Sequence, residues 1–222
     1  MSAPPMPPLP PELRDRVLAA VERDPVPPRA AGARRRTRAV VSGFGSLLGS
    51  LAILGVRPHD RPHGYVAALF FAWLPIAGAA TWAGVSRGRS MLGRPARWLA
   101  AVVALTPVAL YAVWAPVAMA WPWTLHNVSG FHELLICDVV TISFSIGPLL
   151  AFSALRKRTD PVTPRLTGAA IGTAAAAWGA IALHLVCAWT APLHILFGHV
   201  APVVLIALAG ALIISRRVAI SS

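Results

Sequence analysis

Six apolar stretches, each close to the length of a membrane-spanning helix, constrain this chain more than any other feature of its sequence. They cover residues 39–56, 65–85, 98–120, 131–154, 166–187 and 195–215. About twenty apolar residues are needed for a helix to cross roughly 30 Å of hydrocarbon. With 56% hydrophobic and only 13% charged residues, the composition also excludes an ordinary soluble domain. The sequence therefore predicts an all-α polytopic membrane protein with six transmembrane helices.

The placement of the basic residues predicts how these helices are oriented. Eighteen of the twenty Lys and Arg residues lie on the same side as the N-terminus, and the opposite side has only Arg57 and Arg61. Basic residues accumulate on the cytoplasmic side of membrane proteins, so both termini are predicted to be cytoplasmic. The cluster over residues 34–38 precedes an apolar stretch, which favours orientation against anionic lipid over nucleic-acid binding. The net charge of +12 thus indicates the bilayer as a partner and no direct contact with nucleic acid.

Three regions follow from this topology: a cytoplasmic tail over residues 1–38, a transmembrane domain over 39–217 and a short cytoplasmic tail over 218–222. Nineteen of the basic residues are Arg, and the chain is rich in Ala, Pro and Gly. This composition is typical of a GC-rich bacterial genome. We therefore expect the protein in the inner membrane of a bacterium, with residues 25–38 forming a linker to the first span.

The N-terminal tail contains a predicted short amphipathic helix over residues 12–23. Leu13, Val17 and Val21 recur every four residues and form a narrow apolar stripe, with Leu18 beside it. A helix of this length is not stable alone in water. The stripe fits either a segment that folds onto a soluble partner or a helix that lies on the membrane surface.

The hairpin of residues 164–217 carries a pattern that predicts close helix packing. Its first apolar segment has small residues at four-residue spacing, namely Gly168, Gly172, Ala176 and Ala180. This spacing places all four on one helical face, where another helix can approach closely in lipid. We expect the other spans to be arranged around this hairpin.

All seven histidines and both cysteines fall in the outer loops or the outer halves of the spans. Cys137 lies about two turns into the fourth span, and Cys187 ends the fifth, where it shares a helix face with His184. Three interpretations remain open for this group. The cysteines can form a disulfide if spans four and five pack together, they can bind a soft or borderline metal ion with histidine, or they can be small apolar core residues.

The sequence contains no recognisable catalytic constellation. It has no nucleophile elbow, no HExxH and no phosphate-binding loop, so no enzymatic activity and no cofactor are predicted. The sequence also argues against two other functions. A transporter or channel needs polar residues along a path through several spans, and a membrane thiol oxidoreductase needs a CxxC pair; neither feature is present.

The order of the segments resembles the NrsF-type six-span membrane anti-sigma factors of bacteria. The resemblance lies in a cytoplasmic segment PELRDRVLAAVERDP, an arginine cluster, GRSMLGRP in an inner loop, TDPVTPRLTGAAIGTAAAAWG before Cys187, and LHILFGHVAPVVLIALAGALI near the end. It implies that the tail holds an extracytoplasmic-function sigma factor inactive at the membrane. It also implies release on an outer-side metal or oxidative signal.

Carried onto this chain, the resemblance assigns sigma-factor binding to the tail stripe of Leu13, Val17, Leu18 and Val21. It assigns sensing to Cys137 and Cys187, with His184 as their neighbour. Cys137 departs from a simple loop motif, because it lies inside a span and is followed by Asp138. The zinc-binding HxxxCxxC of soluble anti-sigma factors is absent, so no zinc is expected in the tail.

Overall fold

The structure is a computed structural model that describes residues 29–55, 62–86, 94–121, 130–157 and 162–219. This part of the chain is built of helices, and the long ones are α1 (Arg29–Leu54), α2 (His63–Val85), α3 (Ala96–Ala120), α4 (Phe131–Leu155), α5 (Pro164–Val186) and α6 (Pro192–Val218). Five of them, α2 to α6, are long and apolar enough to cross a membrane. The all-helical prediction is thereby confirmed, and five of the six predicted spans are helices with the length and composition needed to cross a membrane.

The largest difference from the predicted boundaries is at the first helix. We expected it to begin near residue 39, but α1 begins at Arg29 and includes the arginine cluster. The predicted linker over residues 25–38 is therefore helical from Arg29 onward. Arginine and alanine are strong helix formers, and no proline interrupts this stretch, so the helix continues outward from the apolar part. The tail stripe of Leu13, Val17, Leu18 and Val21 lies outside the described residues and stays a prediction.

Helix α5 is at the centre of the bundle. It contacts each of the other five helices, which form a ring around it in the order α1, α2, α3, α6, α4. In its most apolar window, 94% of the residues are buried inside the protein. Its many alanines and glycines make a thin helix, which leaves room for five neighbours at close range. The expectation that the hairpin of residues 164–217 organises the fold is met by this arrangement.

The GxxxG pattern of α5 packs directly against the backbone of α6. A Cβ atom added to Gly168 would collide with the carbonyl oxygen of Gly210. One added to Gly172 would collide with the carbonyl oxygen of Ile206 and would lie 3.0 Å from the Cα of Ala207. The predicted close approach is confirmed at these two glycines, and the structure identifies α6 as the partner.

Helix α6 contains two π-helical stretches that the sequence pattern did not predict. They span Ile195–Val200 and Gly210–Ile214, with α-helical Ala201–Ala209 between them. The first stretch contacts α4, and the second contacts α5. Such stretches are rare and frequently mark functional sites in helices.

The two ends of the bundle differ in chemistry. Helices that follow one another in the chain run antiparallel, and every Arg and Lys side chain that the structure describes lies at the end where α1, α3 and α5 begin. We call this the basic end. The histidines within the described ranges lie at the opposite end, which we call the thiol end because it also holds both cysteines. This division matches the segregation that was predicted from the sequence.

Arg94 illustrates how the basic end is held together. Its Nε donates a hydrogen bond to the Ser86 Oγ at 3.0 Å, and its guanidinium lies 4.3 Å from the centre of the Trp82 ring. Burial lowers the pKa of the Arg94 guanidinium, and the positive charge of Arg36 lowers it further. The ends of α1, α2 and α3 therefore meet at one dense cluster of positive charge.

Candidate functional site

The packing of α4 against α5 brings Cys137 and Cys187 together. Their Sγ atoms are 3.6 Å apart, both side chains are buried, and neither is in a disulfide. The two helices approach closely because α5 has Gly179 at the contact, where a Cβ atom would lie 2.7 Å from the carbonyl oxygen of Thr141. Leu183 packs with the two cysteines as an apolar neighbour. The hypothesis that spans four and five juxtapose the two thiols is thus met by the structure.

His194 joins the two thiols from α6. The chain turns through residues 187–191, and Pro192 begins the next helix, so that the His194 Nε2 lies 3.2 Å from the Cys187 Sγ. The sulfur atoms of both cysteines and a ring nitrogen of His194 all lie within 4.8 Å of one another. All three residues are buried. We call this group the thiol–imidazole cluster.

Gly198 and Thr141 account for the close approach of α6 to the thiol–imidazole cluster. A Cβ atom on Gly198 would lie 3.3 Å from the Cβ of Cys137 and 3.4 Å from the His194 Nε2, so a side chain at this position would crowd the cluster. Thr141 Oγ1 donates to the Gly198 carbonyl oxygen at 3.3 Å and ties α4 to α6. Gly198 lies in the first π-helical stretch, which therefore forms one wall of the cluster.

The surroundings of Cys187, which lies in the turn between α5 and α6, favour its thiolate. The pKa of the Cys187 thiol is lowered, first by the hydrogen bond with the Cys137 thiol and then by hydrogen bonds with His194 and His199. Burial acts in the opposite direction, because it disfavours the charged form. A thiolate is the form of cysteine that binds metal ions and reacts with oxidants.

The structure places His184 differently from what the helical spacing suggested. Three residues before Cys187, His184 packs against the rings of Tyr65 and Trp73, with centroid distances of 5.7 and 5.5 Å. The histidine beside the thiols is His194, which the sequence analysis did not pair with them. Spacing within one helix cannot reveal this contact, since it depends on how the turn after Cys187 returns the chain. The shortness of that turn is the sequence feature from which the contact of His194 with Cys187 could have been predicted.

Aromatic rings and imidazoles extend the cluster into the core of the bundle. His194 is 5.5 Å from His199, His199 is 6.3 Å from Trp73, and Trp73 contacts His184. The Trp73 Nε1 donates to the Leu110 carbonyl oxygen at 2.9 Å, so its polar atom is satisfied inside the protein. Tryptophans of membrane proteins are enriched at the interfaces between the bilayer and water. Trp73 and Trp178 instead belong to the core.

The chemistry of the thiol–imidazole cluster allows two reactions, the binding of a soft cation and the oxidation of its thiols. Two thiols and an imidazole can bind a soft or borderline cation, for which these ligand types are suited. Two adjacent thiols can also be oxidised to a disulfide. Each event would change how α4, α5 and α6 are held together, because each helix or the turn beside it supplies one of the three groups.

Comparison with known proteins identifies the family. The family model NrsF, described as "Negative regulator of sigma F", matches residues 18–219. The chain belongs to the NrsF family. The match extends from the predicted tail helix to the last described residue, so it covers all the helices described above. No match was found among curated proteins or among solved structures.

Membership in the NrsF family agrees with the resemblance drawn from the sequence. The family description names negative regulation of a sigma factor, which is a regulatory role and not an enzymatic one. The match begins at Leu18, so Leu18 and Val21 of the tail stripe fall inside it and Leu13 and Val17 precede it.

Proposed function

We propose that this protein is a membrane-bound anti-sigma factor whose cytoplasmic tail holds an extracytoplasmic-function sigma factor inactive. The observation that supports this most strongly is the NrsF match over residues 18–219. The sigma factor is released when a metal or oxidative signal acts on the thiol–imidazole cluster of Cys137, Cys187 and His194. His184 supports that cluster from the aromatic core.

The proposed orientation places the basic end in the cytoplasm of the bacterial inner membrane. Membrane proteins retain Arg and Lys on that side, and the basic end contains all the described ones. Both termini then face the cytoplasm, where the sigma factor and the polymerase are. The thiol end faces outward, where metals and oxidants arrive first.

Helix α1 is proposed as the sixth span. Its hydroxyl groups are satisfied within the protein, as lipid requires: Ser50 Oγ donates to the Ser46 carbonyl oxygen at 2.8 Å, and Ser46 Oγ donates to the Phe144 carbonyl oxygen of α4 at 3.2 Å. Gly43 lets α1 pack closely against Trp178 of the central helix. These contacts suit a helix that crosses the membrane beside α4 and α5.

The tail acts by covering a surface of the sigma factor that the polymerase needs. The apolar stripe of Leu13, Val17, Leu18 and Val21 would pack in a groove on the sigma factor, as amphipathic helices do in many regulatory complexes. Since α1 begins at Arg29, the tail joins a helix that continues directly into the bundle. A change in how the helices of the bundle pack can therefore be transmitted to the tail through α1.

A reporter of sigma-dependent transcription tests the role of the tail. Replacing Leu13 and Val17 with Asp should raise transcription without any signal, because each apolar side chain buried in an interface contributes about 1.5–3 kcal/mol. Binding should weaken by more than about tenfold. The amount of protein in the membrane should be unchanged.

Ala19→Asp is the matched control for this experiment. Ala19 lies on the opposite face of the predicted tail helix, so the same charge placed there should leave repression intact. If the double variant represses transcription as well as the unaltered protein does, the tail stripe is not the sigma-binding surface.

A further inference from the structure

We propose that Cys137, Cys187 and His194 bind one soft d¹⁰ cation, such as Cu(I), Cd²⁺ or Zn²⁺, with His194 as the third ligand. This proposal deepens the sensing role given above and names the class of ligand. Its experiment is a binding measurement on the purified protein, so it does not depend on the sigma factor.

The distances in the cluster suit a shared metal ion. Metal–sulfur bonds of about 2.3 Å and metal–nitrogen bonds of about 2.0–2.1 Å place tetrahedral ligands about 3.5–3.8 Å apart. The two sulfur atoms are 3.6 Å apart, and the Cys187 Sγ is 3.2 Å from the His194 Nε2. Shifts of a few tenths of an ångström would therefore bring all three donors onto one ion.

The donor types select for soft ions. Thiolate sulfur prefers Cu(I), Zn²⁺ and related ions, whereas Mg²⁺ and Ca²⁺ prefer oxygen ligands. Val140, Leu183 and Val186 surround the cysteines and keep the site apolar. Such a shell excludes water and strengthens the attraction between a cation and the thiolates.

Asp138 adds negative charge beside the site. Asp138 directly follows Cys137 in α4. In the described part of the chain, its Oδ1 is buried without a hydrogen-bond partner. A carboxylate at this depth is costly in a membrane protein. A cation held by the adjacent cluster would offset that charge.

Binding exchanges protons for the metal ion. A divalent cation binds the two sulfur atoms as thiolates, so the S–H bond of each thiol that is still protonated breaks, its proton leaves to solvent, and two metal–sulfur bonds are formed. The neutral imidazole donates through its Nε2 and loses no proton. The metal, the sulfur and the imidazole keep their oxidation states, so no oxidant is needed.

Titration of the purified full-length protein with Cd²⁺ under reducing conditions tests the site. We expect one Cd²⁺ per chain, the ultraviolet thiolate-to-Cd²⁺ charge-transfer band, and no competition from excess Mg²⁺ or Ca²⁺. Cys137→Ser with Cys187→Ser should remove the band. His194→Ala should weaken binding at least about tenfold, since even residues that only orient metal ligands contribute that much.

His132→Ala is the matched control, because His132 is exposed at the start of α4 and lies outside the cluster. It should bind Cd²⁺ as the unaltered protein does. Thermal unfolding followed by circular dichroism checks that each variant is folded. Absence of stoichiometric binding, or equal binding by the folded His194→Ala variant, would overturn the proposal.

X-ray absorption at the Cd edge of the unaltered protein gives a second result that needs no variant. We expect two sulfur scatterers and at least one imidazole. A shell of oxygen alone, or of sulfur without imidazole, would contradict the assigned ligands. If Cd²⁺ binds as expected but leaves reporter transcription unchanged, the metal site stands and the sensing role fails.

Discussion

Cys187 is the residue at which the contacts of the thiol end converge. Its sulfur lies near Cys137 on α4 and His194 on α6, and its backbone N–H donates to the Leu183 carbonyl oxygen at the end of α5 at 2.8 Å. Any reaction or ligand at this sulfur therefore acts on three helices at once. A signal can shift the packing only by favouring one arrangement over another, and a ligand shared by three helices can do this.

Replacing the cysteines one at a time should separate sensing from repression. Cys137→Ser and Cys187→Ser should each abolish induction of the sigma-dependent reporter by a metal or oxidant, because each removes one of the soft donors. Repression without a signal should remain, since the tail is untouched.

Ser143→Ala serves as the control for these variants, because Ser143 is an exposed residue of α4 whose hydroxyl bonds only its own helix. It should leave induction intact. Normal induction in the double cysteine variant would mean that both cysteines are merely small core residues.

At the scale of the helices, the contact of α5 with α6 leaves no space for a side chain at the glycines of α5. The first carbon of any side chain at Gly172 would meet the backbone of α6, which cannot rotate away as a flexible side chain can. The second π-helical stretch of α6 lies along the same contact, beside Gly168. A change of helical pitch in α6 would therefore move it along α5 and carry a signal from the thiol end toward the basic end.

Gly172→Ala should destabilise the bundle by about 1–3 kcal/mol, the usual cost of forcing an extra carbon into a well-packed contact. Thermal unfolding in detergent measures this as a lower Tm. Gly78→Ala is the matched control, because nothing lies within 4 Å of a Cβ atom at Gly78. That variant should be as stable as the unaltered protein or slightly more so, since alanine favours the helix. Equal melting of both variants would contradict the close contact.

The helices themselves were predictable to within a few residues for particular reasons. Long apolar stretches have one stable form in lipid, so the ends of α2 to α5 followed from hydrophobicity alone. The start of α1 did not, because hydrophobicity marks only the apolar part of this helix and not its continuation through the arginine cluster. The π-helical stretches depend on local packing and leave no mark in residue spacing.

The site was predictable only in part, because some of its contacts depend on how the helices pack. The two cysteines were singled out because thiols are uncommon in this chain and fall at the same ends of neighbouring spans. The contact of His194 with Cys187 crosses a turn and therefore depends on tertiary structure. His184 has the better helical spacing, yet it faces the aromatic rings of Tyr65 and Trp73.

For the whole molecule, the central feature is the separation of its two ends. The described arginines and the start of α1 are at one end, and the thiol–imidazole cluster is at the other, with α5 and α6 connecting them. This arrangement suits a protein that receives a signal on one side of the membrane and controls a sigma factor on the other. It requires the basic end to face the cytoplasm.

Paired alkaline phosphatase fusions in the bacterial host test that requirement most directly. The enzyme is active only outside the cytoplasm, so a fusion after Ser222 should be inactive and one inserted within residues 122–129 should be active. A green fluorescent protein fusion after Ser222 should be fluorescent, which confirms that the fusion protein is made. Active phosphatase after Ser222, together with inactive phosphatase within residues 122–129, would place the tail on the wrong side of the membrane and contradict the proposed control of a sigma factor.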